Sequence, residues 1–307
     1  MDQEVVEKVL LAHVQEQRRA RRWGNFWRFI TFAFVLGAFW FSSMGGGTHM
    51  VASPTMRHTA MIDLHGVIDF GSPASAELVS DSLREAFKNS HAAGIILRIN
   101  SPGGSPVQSG IVFDEIRRLK AEHKDKPVIA VVEDVAASGG YYIASAADFI
   151  YVNQASLVGS IGVRMDSFGF TEALKKLGVE RRVLTAGENK AMLDPFLPMD
   201  PKQRAAVQSM INDVHGQFIA AVKQGRGDRL KPIPELFSGM VWTGAKSIEL
   251  GLADGLGTVD SVARDVIKAE EVIDYTLQPN FAERLAKRFG AAAGDAMFSA
   301  MMRWSIY

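Results

Sequence analysis

From about residue 59 onward, apolar runs of strand length alternate with segments of helical period, and no other feature of the sequence constrains the fold as much. Ala60–Leu64, Gly94–Ile99, Val128–Val132 and Phe149–Val152 are short, nearly continuous apolar runs. Between and after them, Ala74–Asn89, Ser109–His123, Gly139–Ala147 and Ser167–Leu177 carry apolar residues at helical spacing. Strands that are apolar throughout are buried on both faces, and strand–helix alternation makes successive strands parallel. The pattern predicts an α/β domain with a mostly parallel sheet. After Pro201 a long helical pattern runs to about Gln224, then a loop with Pro232 and Pro234, then short elements to about Thr276.

The chain has 307 residues, 47% hydrophobic and 22% charged, with 34 basic against 34 acidic side chains. That balance suits a folded protein and argues against a nucleic-acid partner held by bulk positive charge. The absence of cysteine excludes disulfides, thiolate-ligated zinc, iron–sulfur clusters and a thiol nucleophile.

Neutrality overall hides an asymmetry, because Arg18, Arg19, Arg21, Arg22 and Arg28 immediately precede the uncharged run Phe29–Met44. As a helix those 16 residues rise about 24 Å against about 30 Å of hydrocarbon, and Trp23, Trp27 and Arg28 extend the span at the interface. The run reads as a single transmembrane signal anchor, residues 29–44, with the basic tail 1–28 cytoplasmic. The remainder then lies on the periplasmic side of a bacterial inner membrane. A cleaved signal peptide is the rival, disfavoured by the long polar leader and the lack of an Ala-x-Ala site after Met44. Residues 45–58 read as a linker and 59–276 as the folded domain. Residues 277–307 read as an amphipathic helix, with Phe281, Leu285, Phe289, Met297, Phe298, Met301 and Met302 at helical spacing. Such a helix packs on the core or a neighbouring subunit in preference to a membrane surface.

Chemistry concentrates in a few short segments. Asp134–Ala144 carries Ser138-Gly139-Gly140 between a buried strand and a helix. A serine placed there meets free amides and the positive end of a helix, both suited to a developing oxyanion; it would serve equally as an N-cap. Asn100-Ser-Pro-Gly-Gly104 closes another strand, and its turn exposes amides at the rim where parallel sheets bind ligands. Gly104, in preference to Gly103, pairs with Gly139 as two oxyanion donors. None of the seven histidines adjoins a glycine-flanked serine or forms a His-x-x-x-His pair, so neither a Ser-His-Asp triad nor a metal site is supported. His13 in the tail, His49 and His58 in the linker and His123 and His215 on helices read as solvated. A lysine can replace histidine as base if desolvation leaves its amine neutral. Lys190, in Thr185–Phe196 with apolar residues on its C-terminal side, is the candidate, with Glu133 and Asp134 as alternatives.

Asn100–Gly104, Asp134–Ala144 and Val158-Gly-Ser-Ile-Gly-Val163, followed by Lys190, together resemble the short form of the signal peptide peptidase A family of membrane-bound serine peptidases, over about residues 60–275. The resemblance implies the Clp-protease and crotonase type of fold, a repeated β-β-α superhelix. It implies Ser138 as nucleophile, Lys190 as general base and Ser160, otherwise only a turn residue, as the group orienting the lysine, with no cofactor and no metal. It further implies cleaved signal peptides and similar apolar peptides as substrates, and a homo-oligomer whose active sites are shared between protomers. Two other readings are a crotonase-type acyl-CoA enzyme on the same scaffold and a non-catalytic membrane scaffold.

Overall fold

The computed structural model describes residues 19, 21–37 and 55–278. The chain divides into two compact units, 1–50 with 279–307, and 51–278. In the first, the described residues form helix α1 over 21–37. Trp23, Phe26 and Trp27 meet edge to face along it, and they and Phe29, Phe32 and Phe34 are exposed. Among the described residues no helix is long and apolar enough to cross a membrane. Residues 38–44 of the expected anchor, most of the linker and residues 279–307 of the expected C-terminal helix lie outside the described residues.

The second unit is built on an eight-stranded sheet. Its strands are β1 (His58–His65), β2 (Ala92–Ser101), β3 (Val128–Ala137), β4 (Phe149–Val152), β5 (Leu157–Gly159), β6 (Val241–Thr243), β7 (Gly255–Leu256) and β8 (Val272–Asp274). Its helices are α2 (Ala76–Lys88), α3 (Pro106–Glu122), α4 (Gly139–Ala144), α5 (Thr171–Lys176), α6 (Pro201–Arg226), α7 (Gly244–Glu249) and α8 (Val259–Val262). The main path runs β6-β5-β3-β2-β1-β8, and only the β5–β6 pair is antiparallel.

Strand β3 decides the shape of the sheet. Ile99 pairs with Val132, but the next partner of β2, Ser101, pairs with Ala136. The extra residues of β3 bulge out, and a bulge turns the strand. Before it β3 pairs with β4, which leads to β7; after it β3 pairs with β5, which leads to β6. The sequence pattern ends this strand at Val132, because Glu133 and Asp134 break the apolar run. Both are exposed within the bulge, and the strand resumes to Ala137.

Side chains alternate across the sheet, and each face has a core. On one, Ile62, Leu64, Leu97, Ile99, Ala130 and Val132 meet Leu83 and Phe87 of α2, Val112 and Ile116 of α3, Tyr141 of α4 and Val222 of α6. On the other, Met61, Ile96, Ile129 and Val131 meet Val262, Ala263 and Ile267. Burial on both sides is why these strands are largely apolar, and Asp63 and Arg98, register partners on β1 and β2, pair with each other.

Local chemistry sets the helix starts. Ser105 caps α3, accepting from the Gln108 N–H at 3.3 Å, and Asp200 caps α6, accepting from Lys202 at 2.7 Å and Gln203 at 3.1 Å, each with proline next in the chain. Of the expected helix Ser167–Leu177 only Thr171–Lys176 forms, and it buries no residue, so tertiary packing does not extend it. The helix expected over Gly139–Ala147 ends at Ala144. His58, expected to be a solvated linker residue, is wholly buried in β1. Its ring contacts the Met56 carbonyl and the Tyr275 hydroxyl, each at 2.9 Å, and stacks on Tyr275.

Candidate active site

Parallel strands end on a common rim, and here β1, β2, β3 and β5 deliver Gly66–Ile68, Gly103–Gly104, Ser138 and Ser160 to it. Ser138 closes β3 and opens α4 with φ +50° and ψ −122°. An L residue held there costs about 1–3 kcal/mol, a strain that functional turns often carry. The turn is tied on both sides: the Ser138 N–H donates to the Gly159 carbonyl at 2.8 Å, and the Ser138 carbonyl accepts from the Tyr142 N–H at 2.9 Å. The side chain makes no cap bond to α4. The capping alternative therefore fails, and the half-buried hydroxyl has no hydrogen-bond partner among the described residues.

Ser160 follows directly on the residue that holds Ser138. Ala137 and Gly159 are partners across β3 and β5, so the two serines leave neighbouring strand ends. Ser160 also has φ +50°, fixed by its N–H donating to the Met240 carbonyl at 2.8 Å.

The Pro102-Gly103-Gly104 turn closes the other side. The Ile68 N–H donates to the Gly103 carbonyl at 3.0 Å, and the Ile68 carbonyl accepts from the Ser105 N–H at 2.8 Å. This bridge pairs Ile68 with Gly104 through the flanking groups and leaves the Gly104 amide outside it. The Gly103 N–H donates to the Ser101 hydroxyl at 3.1 Å. Gly103, not Gly104, is thus the glycine whose amide is engaged, and the Gly104 amide has no hydrogen-bond partner among the described residues. Gly139 is the first residue of α4, where an N–H has no partner within the helix. The two glycine segments touch. A Cβ on Gly103 (φ +100°) would stand 2.7 Å from the Gly139 nitrogen and from the Ser138 Cβ. One on Gly139 would stand 3.3 Å from the Gly104 nitrogen and overlap the Ser109 hydroxyl. Glycine is needed because backbone must pass this close to backbone.

Lys190 is not drawn into this cluster within one chain. It lies in an exposed turn, its N–H donating to the Gly187 carbonyl at 3.1 Å, and its ammonium makes no ion pair or hydrogen bond among the described residues. The apolar residues after it do not cover its amine, because residues 163–200 contain one short helix, no strand and little burial. Within this excursion Phe170 stacks on Phe196, and Arg181 pairs with Asp194 at 3.0 Å while lying over the Phe196 ring. The Phe196 N–H and Arg181 hold the Asp194 carboxyl below the usual carboxylate range. A cavity of about 430 Å³ opens beside the Lys190 turn, lined by Phe168, Val183, Glu188, Ala191, Leu193 and Leu197 among others. The alternative bases point elsewhere. Asp134 accepts from the Asn100 amide at 2.9 Å, and Glu133 lies 3.8 Å from the Arg98 guanidinium.

Three residues escaped the sequence reading: Ile68, Ser101 and Ser109. Ile68 follows an unremarkable strand and gives no signal. Ser101 sits inside the Asn-Ser-Pro-Gly-Gly segment, where polarity at a strand end was the available clue. Ser109, wholly buried, donates to the Ser105 carbonyl at 2.9 Å and lies under Gly139.

The sequence model of peptidase family S49 matches residues 120–272. A segment of a Brucella melitensis protein named Na(+)/H(+) antiporter NhaA is 47% identical over 209 residues, 66% of this chain and 28% of that protein. A Synechocystis protein named as a protease is 32% identical over 204 residues, 66% of this chain and 71% of the other. The chloroplastic serine protease SPPA of Arabidopsis thaliana is 31% identical over 188 residues, 61% of this chain and 27% of that protein. The chain thus spans well under a third of the Brucella and Arabidopsis proteins but most of the Synechocystis one, and it belongs to peptidase family S49, the signal peptide peptidase A family of serine peptidases.

Proposed function

We propose that the chain is a membrane-anchored serine endopeptidase on the Clp-protease and crotonase type of superhelical fold. It would degrade cleaved signal peptides and similar apolar peptides through a Ser138/Lys190 dyad. The observation that carries the proposal is the Ser138 hydroxyl, free of any cap bond on a strained strand-to-helix turn, on the same rim as the Gly104 and Gly139 amides, for which no partner is found among the described residues.

Lys190, as an uncharged amine oriented by the Ser160 hydroxyl, accepts the Ser138 proton as Oγ bonds to the scissile carbonyl carbon. The carbonyl oxygen takes up the negative charge and accepts hydrogen bonds from the Gly104 and Gly139 amides. The lysine ammonium then protonates the leaving amine as the C–N bond breaks. Water, deprotonated by the same amine, hydrolyses the acyl-enzyme and frees Ser138. Because Lys190 is exposed in the single chain, the dyad is assembled between protomers of a homo-oligomer, where a neighbour's surface excludes water from the amine.

Anchoring rests on the arginine cluster before Phe29 and on the exposed rings of Trp23, Phe26, Trp27, Phe29, Phe32 and Phe34 along α1. Such a helix is suited to a bilayer and costly in water. With the basic tail cytoplasmic, the catalytic domain faces the periplasm, where signal-peptide cores left in the bilayer are close at hand. The test is hydrolysis of a fluorogenic apolar peptide by the full chain in detergent. Ser138→Ala and Lys190→Arg should each lose turnover at unchanged oligomeric state, since a guanidinium does not release its proton. Wild-type turnover in either variant would remove that residue from the dyad.

A further inference from the structure

We propose that Ser101 is a positioning residue for the oxyanion hole, acting through its hydroxyl on the turn that presents the Gly104 amide. This rests on the role given above to that amide. Ser101 is the last residue of β2 and wholly buried. Its hydroxyl has two partners: it donates to the Gly66 carbonyl at 2.6 Å and accepts from the Gly103 N–H at 3.1 Å. A single oxygen thereby ties the segment after β1 to the turn after β2.

The connection matters because the turn needs an external brace. Gly103 and Gly104 have φ +100° and +156°, and glycine has broad backbone freedom that folding must restrict. From the outside the turn is held by Ile68, through the Gly103 carbonyl and the Ser105 N–H. From beneath it is held by Ser101. The Gly66 N–H also donates to the Asn100 carbonyl at 2.9 Å, so Gly66–Ile68 and Asn100–Ser105 form one closed set of hydrogen bonds with the Ser101 hydroxyl at its centre. Capturing the Gly103 N–H fixes that peptide plane. The next one, between Gly103 and Gly104, carries the amide that must point at the oxyanion. Ser101 also lies against α4, since a Cβ on Gly140 would stand 2.8 Å from the Ser101 carbonyl oxygen and 3.3 Å from its Cβ. The residue thus abuts both elements that supply oxyanion donors.

Removing the hydroxyl leaves the Gly103 N–H and the Gly66 carbonyl without that partner, so the Gly103–Gly104 peptide keeps only its tie to Ile68 and the direction of the Gly104 amide is held less closely. An oxyanion donor acts on the transition state more than on the bound substrate, so misplacing it lowers kcat with little change in KM. The test is Ser101→Ala in the full chain in detergent, beside Ser138→Ala as the dead control. Three quantities are measured: kcat and KM on the fluorogenic peptide, the inhibition constant of a peptide aldehyde, and the melting temperature. The aldehyde forms a hemiacetal: the Ser138 oxygen bonds to the aldehyde carbon, and its proton leaves for the base while the former carbonyl oxygen occupies the oxyanion hole. The expected result is a fall in kcat of about tenfold or more, KM within about twofold of wild type, and aldehyde affinity weakened by about the same factor as kcat. Wild-type kcat and aldehyde affinity in Ser101→Ala, whatever its melting temperature, would overturn the proposal. So would a loss confined to KM. Turnover surviving in Ser138→Ala would overturn the site assignment itself and this proposal with it, which separates the two failures.

Discussion

The approach of Gly139 to Gly104 beside the Ser109 hydroxyl supports a double-mutant cycle. In Gly139→Ala the new methyl overlaps the Ser109 Oγ, which is buried and held to the Ser105 carbonyl at 2.9 Å. Overpacking of this kind costs about 1–3 kcal/mol, which lowers the melting temperature of a domain this size by roughly 2–10 °C. Ser109→Ala alone removes one hydrogen bond, about 1 kcal/mol. The Ser105 carbonyl still accepts from the Ser109 N–H at 3.0 Å, so no acceptor is orphaned. In Gly139→Ala/Ser109→Ala the overlap is gone, and the double variant should be more stable than the sum of single losses by about 1 kcal/mol or more. Activity should not follow stability. The methyl still stands 3.3 Å from the Gly104 nitrogen, crowding the space between the two donors, so kcat should stay about tenfold or more below wild type in both Gly139 variants. Melting curves and peptide hydrolysis on the four proteins decide it. Additive stability losses would refute the assigned overlap, and wild-type kcat in the double variant would refute the placement of the oxyanion between these amides.

Other outcomes follow from the same geometry. Asp254→Asn should cost about 3–5 kcal/mol, because the buried Arg226 guanidinium loses the carboxylate it meets at 2.8 Å on two nitrogens; chemical denaturation reads this directly. Burial pushes the Asp254 carboxyl up, but Arg226, the Ile150 N–H and Arg229 together outweigh it and the net shift is downward. The associated stability is present above the unfolded value near 3.9 and lost as pH falls through the lower folded one. Between about pH 5 and 2 the wild type should therefore lose more stability than Asp254→Asn, and parallel pH profiles would contradict the pairing. Ser138→Gly should melt higher than Ser138→Ala, both inactive, since only glycine relieves φ +50°; equal melting temperatures would deny the strain. Diluting or dissociating the oligomer should abolish turnover at unchanged secondary structure, and a fully active monomer would reject a dyad shared between protomers.

Much of this was legible in the chain. The apolar runs at Ala60, Gly94, Val128 and Phe149 marked four parallel strands, because a strand buried on both faces leaves few polar positions to disguise it. Each of Ser138, Gly104 and Gly139 alone reads equally as a cap or a turn residue, and they stood out because together they put a hydroxyl and backbone amides at the ends of two buried strands. Residues 167–177 were less readable: their helical period promised more helix than the Thr171–Lys176 that forms, since a stretch with nothing to pack on gains too little to extend.

The sequence by itself determined the strand–helix order, the rim on which the glycine turns and Ser138 fall, and the family. The first two follow from local periodicity and from residue types whose backbone preferences act within a few positions, and the family from the resemblance carried by three motifs and Lys190 together. Tertiary structure alone decided that the β3 bulge forks the sheet, that the Gly104 amide is left free while Gly103 is engaged, that Ser101 braces the turn, and that Lys190 stays exposed in a single chain. The bulge, the Ile68 bridge to Gly104 and the Ser101 tie to Gly66 join segments more than 30 residues apart, and such contacts are set by packing, which no local pattern records.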